Sequence, residues 1–211
     1  MEDILNQISE NLQKGKSKVV AELVQQALDA GIDPGSILDN GLLAGMSVIG
    51  VKFKNNEVFV PEVLVAARAM KKGSEVLQPT LAAAGIQAKA TAVIGTVQGD
   101  LHDIGKNLVK MMMEGHGIKM IDLGVDVAAE AFVEAAKENN ASIICCSALL
   151  TTTMMEMKTI VDLVKQSDIA DKVTVMIGGA PVNQAFCDQI GADCYALDAA
   201  SAAEVAMQFI A

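Results

Sequence analysis

The sequence predicts a small helical bundle followed by a doubly wound α/β domain built on a parallel sheet. Three observations carry that reading. Up to about Pro79, apolar residues recur only at three- and four-residue steps, the spacing of helices. After about residue 90, short β-branched or apolar runs alternate with helical stripes, the pattern of parallel strands joined by crossover helices. Between the two, residues 79–90 (PTLAAAGIQAKA) are rich in small residues and read as a linker. The expected domains are therefore 1–90, helical with its linker, and 91–211, α/β; a chain of 211 residues suits two small domains.

Each helix has its own stripe. Ile4, Leu5, Ile8 and Leu12 form the first, stopped by Gly15, and Val19, Val20, Leu23, Val24, Ala27 and Leu28 form the second, ending at Gly31. Pro34 and Ser36 open a third, with Ile37, Leu38, Leu42, Met46 and Ile49. Pro61, favourable in a first turn, opens a fourth through Val63, Leu64, Ala67, Met70 and Leu77. Four short helices with brief links read as a four-helix bundle. In the second half the strands are TAVIGTV, IKMIDLG, SIICCSALL, VTVMIGG and DCYALD. Helices follow from about Gly105, from about Ala128, through Met154 to Val164, after Pro181, and at the end. This is a domain of flavodoxin-like size. Ligands of such sheets sit at the carboxyl ends of the strands, which directs attention to Gln98–Gly105, Ser147–Thr153, Gly178–Pro181 and Leu197–Ser201.

Composition excludes several functions. The net charge of −10 provides no basic face for nucleic acid, and 3% aromatic residues provide no base-stacking platform. Apolar runs are interrupted well before the roughly 18 residues needed for a bilayer span, and no secretory signal pattern opens the chain. Cys145, Cys146, Cys187 and Cys194 form no C-x-x-C pair and read as reduced, mostly buried thiols of a cytoplasmic protein.

The richest loop is G-D-L-H-D-I-G-K-N, Gly99–Asn107. His102 is one of only two histidines; it lies at a strand-to-helix crest, flanked by Asp100 and Asp103. A lone histidine is more often structural than a ligand. Metal-binding imidazoles, however, have their other nitrogen held by a carboxylate or carbonyl, and Asp100 is within reach of that role. A phosphate-binding P-loop is ruled out, because Gly99 and Gly105 are one residue too far apart and Asn107 replaces the hydroxyl residue. A metal phosphohydrolase or zinc site needs more histidines or cysteines nearby, and His116, in a Gly-His-Gly turn, reads as a helix terminator. A flavin site would have aromatic flanks. What fits is a metal held mostly by a tetrapyrrole-like macrocycle, with one protein ligand.

D-L-H-D-I-G resembles the D-x-H-x-x-G motif of cobalamin-binding domains in methionine synthase and the corrinoid methyltransferase proteins. S-A-L-L-T-T-T at Ser147–Thr153 and the Gly178–Gly179 pair stand where that family has them. The helical half, with F-K-N-N-E-V-F-V-P at Phe53–Pro61, resembles the family's cap module. The likeness covers nearly the whole chain.

The resemblance implies a cobalamin or related corrinoid bound by a Rossmann-like domain. His102 would be the lower axial ligand to cobalt, Asp100 its hydrogen-bond partner, and Thr153 the hydroxyl completing a relay. Asp103, Ile104 and Gly105 would follow His102 along the cofactor. Ser147 and Thr151 would line the pocket of the nucleotide tail, and Gly178 and Gly179 would let the tail pass close to backbone. Leu149, Tyr195 and Ala199 would also bind the cofactor, and Phe53 and Val60 would cover the upper face unless they are simply bundle core. It also implies a methyl shuttle, since a chain of this length has no room for a catalytic barrel. The donor-specific methyltransferase would act on methylamine, methanol, betaine or an aryl methyl ether, and a second methyltransferase on tetrahydrofolate or a thiol such as coenzyme M, with a reductive activase in support. A small subunit of a radical mutase and a cobalamin-dependent sensory module share parts of the pattern and stay open as alternatives.

Overall fold

The computed structural model describes residues 2–210, which divide into two compact units. The first covers the chain to Ala88; the second runs from Lys89 onward apart from the 115–117 turn.

The helical unit contains α1 (Glu2–Gln13), α2 (Ser17–Asp29), α3 (Pro34–Lys54) and α4 (Val60–Ala83). Its core is made by Ile8 and Leu12, Val20, Val24 and Ala27, Ile37, Leu42 and Met46, then Val63, Ala66, Ala69 and Leu77, all without solvent exposure. On the fourth helix Ala66 and Ala69 take the buried face, while Leu64 of the expected stripe is exposed. Small residues let the helices close in. A Cβ on Gly73 of α4 would lie 2.6 Å from Leu42, and one on Gly45 of α3 would lie 3.0 Å from the Ser9 carbonyl. Asp33 caps α3 by accepting the Ser36 N–H at 2.8 Å, with Pro34 in the first turn.

Two features depart from expectation. The helix of the fourth stripe runs 24 residues, on through Pro79 to Ala83, so 79–83 is helix and the linker is only 84–89. Proline removes one hydrogen bond, but Thr80–Ala83 continue the turn and Gly85, at φ 71°, ends it. The third helix contains a π-helical turn, Ile37–Leu43, whose extra residue breaks the 3.6 period. That helix also has the length and hydropathy of a bilayer span. Its large apolar residues Ile37, Leu42, Leu43, Met46 and Ile49 are nevertheless buried within the bundle.

The α/β unit alternates β1 (Ala90–Thr96), α5 (Ile104–Glu114), β2 (Ile118–Asp122), α6 (Ala129–Glu138), β3 (Ile143–Ser147), α7 (Met155–Lys165), β4 (Thr174–Gly178), α8 (Gln184–Ile190), β5 (Cys194–Ala196) and α9 (Ala199–Gln208). The five strands are parallel in the order β2-β1-β3-β4-β5, the flavodoxin-like doubly wound arrangement. Strand interiors such as Ile143–Cys146 are buried on both faces, as covered parallel sheets require. Gly95 of β1 admits Phe132 of α6: a Cβ there would lie 2.7 Å from the ring. All four cysteines are free and buried; burial pushes the Cys194 thiol up to about 12 and raises the other three, so none is a reactive thiolate.

The register decides where the chemistry collects. Thr96 pairs with Ser147, Ser147 with Gly178, and Gly178 with Ala196. These residues end their strands in one row, so the loops beyond them leave the sheet side by side. The chain changes direction between β1 and β3, the crevice where doubly wound sheets bind ligands.

Candidate functional site

Asp100 is the hub of that crevice. Its side chain has no solvent exposure, and both carboxylate oxygens are occupied. Oδ1 accepts the His102 ring Nδ1–H at 2.8 Å and the His102 backbone N–H at 3.1 Å. Oδ2 accepts the N–H groups of Leu149 at 2.7 Å and Leu150 at 3.1 Å, and the Thr153 hydroxyl at 3.0 Å. One carboxylate thus ties the loop after β1 to the loop after β3. Burial by itself would push this carboxyl up. The N–H of Leu149, the ring and backbone N–H of His102, and the N–H of Leu150 outweigh it and hold Asp100 below the ordinary carboxylate range.

The consequence for His102 is chemical. An ionised carboxylate only accepts hydrogen bonds, so in the neutral ring Nδ1 carries the proton and Nε2 keeps its lone pair. The side chain is 51% exposed, so that lone pair belongs to a ring fixed at one end and open at the other. The His102 carbonyl is held too, accepting the hydroxyl of the fully buried Thr96 at 2.8 Å. Thr153 has a second acceptor in the Leu150 carbonyl, also at 3.0 Å.

The surroundings are apolar and open. Leu101 (70% exposed) and Leu197 (79%), with Leu149 and Leu150, stand on the strand-end loops, and Ile104 (72%) opens α5. A Cβ on Gly105 would meet nothing within 4 Å. By contrast, Gly179, at φ 131°, lies so close to the loop after β3 that a Cβ would sit 1.9 Å from the Ala148 carbonyl oxygen. A single poised imidazole on an exposed apolar shelf fits a large flat metal macrocycle with one coordination position left for protein. Among the described residues, no group of three or more His, Cys, Asp or Glu is placed to hold a bare metal ion.

The structure joins Asp100, His102, Leu149 and Thr153 directly by hydrogen bonds. Thr153, not the exposed Thr151, reaches the carboxylate. Asp103 accepts from the Asn107 side chain at 3.1 Å within the first turn of α5, where Ile104 and Gly105 also lie. Ser147 accepts the Val97 N–H at 3.0 Å, and Gly178 accepts the Ala148 N–H at 3.2 Å. Tyr195 is half-buried on β5, and Ala199 is buried in the first turn of α9. Phe53 and Val60 belong to the helical unit, each partly buried, on either side of the exposed Phe59.

Sequence reasoning passes over Thr96, Asp126 and the Lys106–Asp122 pair. Asp122 accepts from the buried Lys106 at 2.6 Å and from Lys110 at 3.1 Å. Against the opposing effect of burial, those lysines and the Gly124 N–H lower its carboxyl to about 2. Lys106 comes directly after the D-L-H-D-I-G motif, the one signal that marks it.

The B12 binding domain family matches residues 90–207, and a second B12 binding domain family matches residues 4–78. The α/β unit is therefore a cobalamin-binding domain, a class its poised histidine and apolar shelf fit. A corrinoid protein of Desulfitobacterium hafniense (strain Y51) is 40% identical over 210 residues, covering 98% of this chain and 97% of that one. Dimethylamine corrinoid protein 1 of Methanosarcina mazei is 42% identical over 211 residues, with 99% and 97% covered. A solved structure of the methanol:cobalamin methyltransferase complex of Methanosarcina barkeri superposes with a TM-score of 0.89 at 33% identity, covering 99% of this chain and 80% of that one. The chain belongs to the corrinoid proteins of methylamine- and methanol-type methyltransferase systems, and it binds a cobalamin-type corrinoid.

Proposed function

We propose that this protein is the methyl-carrier subunit of a methylamine-type system. It takes the methyl group from a donor-specific methyltransferase and presents it to a second methyltransferase acting on tetrahydrofolate or a thiol of the coenzyme M kind, with a reductive activase as accessory partner. When bound, the corrinoid supplies a cobalt centre able to accept and release a methyl group, chemistry beyond side-chain nucleophiles. The protein contributes ligation, orientation and exclusion of water. His102 offers Nε2 to the metal. Asp100 fixes the tautomer and makes the ring a better donor. Thr153 steadies Asp100 while keeping an alternative acceptor in Leu150. Gly178 and Gly179 leave backbone accessible to the nucleotide tail beside Ser147 and Thr151, and Leu149, Tyr195 and Ala199 contact the cofactor.

The observation that carries the reading is the His102 ring, held at Nδ1 by a fully buried carboxylate and open at Nε2. Relatives named for dimethylamine and trimethylamine favour an amine donor over methanol, and a methyl carrier over a mutase subunit or sensor. The test is methyl uptake. Protein reconstituted with hydroxocobalamin and reduced is incubated with purified mono-, di- or trimethylamine methyltransferase and its amine, or with the methanol enzyme and methanol. Methylation by one amine pair is expected. A holoprotein that retains corrinoid but is methylated by none of the amine pairs overturns the proposal.

A further inference from the structure

Asp126 has no place in the site read from the motif, yet it grips the peptide that leads into it. It lies beyond β2 and adopts φ 54°, a left-handed conformation that L residues avoid, apart from Asn and Asp. Its carboxylate Oδ1 accepts the Gly99 N–H at 2.7 Å. Its backbone N–H donates to the Asp100 carbonyl at 3.0 Å. One residue thus closes on both sides of the Gly99–Asp100 unit, its side chain on one and its main chain on the other. Neighbouring bonds extend the grip: Thr96 N–H to the Gly124 carbonyl and Val127 N–H to the Thr96 carbonyl, both 3.0 Å. Gly99 is itself at φ 80°, so the bend before Asp100 has no regular strand or helix to hold it.

We infer that Asp126 is a positioning residue for the cobalt ligand: it sets the bend that aims Asp100, and through Asp100 it fixes the ring of His102. This rests on the reading of His102 as the ligand. The position makes two separable demands, tolerance of positive φ and a side-chain acceptor. Asparagine meets both, glycine only the first, and alanine neither. A residue needed only to form the turn would be replaced well by glycine.

The experiment compares Asp126→Asn, Asp126→Gly and Asp126→Ala with wild type and His102→Ala. In the apo proteins, amide exchange at Gly99 is followed by NMR. In the hydroxocobalamin-loaded proteins, the cobalt(II) EPR spectrum reports nitrogen coupling from the axial histidine, and titration gives corrinoid affinity. Expected are a protected Gly99 amide and full coupling in wild type, both retained in Asp126→Asn. Asp126→Gly should fold, lose Gly99 protection, lower the coupled fraction, and bind corrinoid about tenfold more weakly, the lower end of what losing a supporting partner costs a metal site. Asp126→Ala should be affected at least as much. Wild-type coupling and affinity in Asp126→Gly would overturn the assignment, as would an unprotected Gly99 amide in the wild-type apo protein. If coupling survives His102→Ala, the ligand reading itself has failed, a result distinct from an unaffected glycine variant.

Discussion

Replacing Asp100 by asparagine nearly preserves shape while removing charge, and the hydrogen bonds around the carboxylate set the consequences. The carboxylate faces five donors, two at Oδ1 and three at Oδ2. An amide has one oxygen and one NH2, so one set of donors must face another donor. With NH2 at the Oδ2 position, the N–H groups of Leu149 and Leu150 lose their acceptor, while Thr153 turns its hydroxyl to the Leu150 carbonyl and accepts instead. Each of these two part-buried N–H groups left without an acceptor costs about 1–3 kcal/mol, so apo stability should fall by about 2–6 kcal/mol at most. With NH2 at the Oδ1 position, His102 relieves the clash by accepting at Nδ1. That moves its proton to Nε2 and removes the lone pair a metal needs. Either way corrinoid should bind about 10- to 100-fold more weakly. The pH dependence has a definite sign. Because the folded-state pKa of Asp100 is depressed, its contribution is fully present above the ordinary carboxylate value and lost as pH falls below it; in the asparagine variant this part of the acid limb disappears. Urea unfolding of the apo protein across acid and neutral pH, with hydroxocobalamin titration by absorbance, measures all three effects. Unchanged stability, affinity and acid limb together would refute the reasoning and leave Asp100 as a residue that only shapes the loop.

Three further outcomes are expected. His102→Ala should leave apo stability within about 1 kcal/mol, since the ring is half exposed, yet shift the bound-corrinoid spectrum towards a water-ligated form; an unchanged spectrum would mean that another residue ligates cobalt. Gly105→Ala and Gly179→Ala should separate: the first adds a methyl to open space and leaves the apo fold stable while hindering corrinoid, whereas the second collides with the Ala148 carbonyl and destabilises the apo protein itself, as paired thermal melts with and without hydroxocobalamin would show. Asp122, lowered from 3.8 to about 2, contributes stability that is lost as pH falls through that interval; Lys106→Met should flatten that part of the acid unfolding curve, and an identical curve would show that the ion pair does not act in solution.

The two domain types, the order of strands and helices, and the importance of the loop around His102 are all legible in the chain, because hydrophobic period and strand-end glycines are local signals. Likewise, the D-L-H-D-I-G fragment carries the proposed ligand, its hydrogen-bond partner and the turn within six residues. The π turn at 37–43 and the passage of α4 through the exposed Pro79 are not legible, since neither an extra residue in a buried helix nor a proline tolerated near a helix end changes the local apolar period. Nor are the partners of Asp100 on the far side. Leu149 and Leu150 act through backbone N–H groups, which every residue but proline possesses and no side chain advertises. Asp126 reaches Gly99 across 27 positions, and Thr96 looks like any strand threonine until the loop after β1 folds back to place the His102 carbonyl on its hydroxyl. Thus sequence alone singled out His102 as the side chain proposed to meet the metal. Only the parallel register, by ending Thr96, Ser147 and Gly178 in one row, decided how that side chain is held. The physical reason is that the hydrogen bonds fixing Asp100, and through it His102, run between loops far apart in the chain, and the sheet brings those loops together.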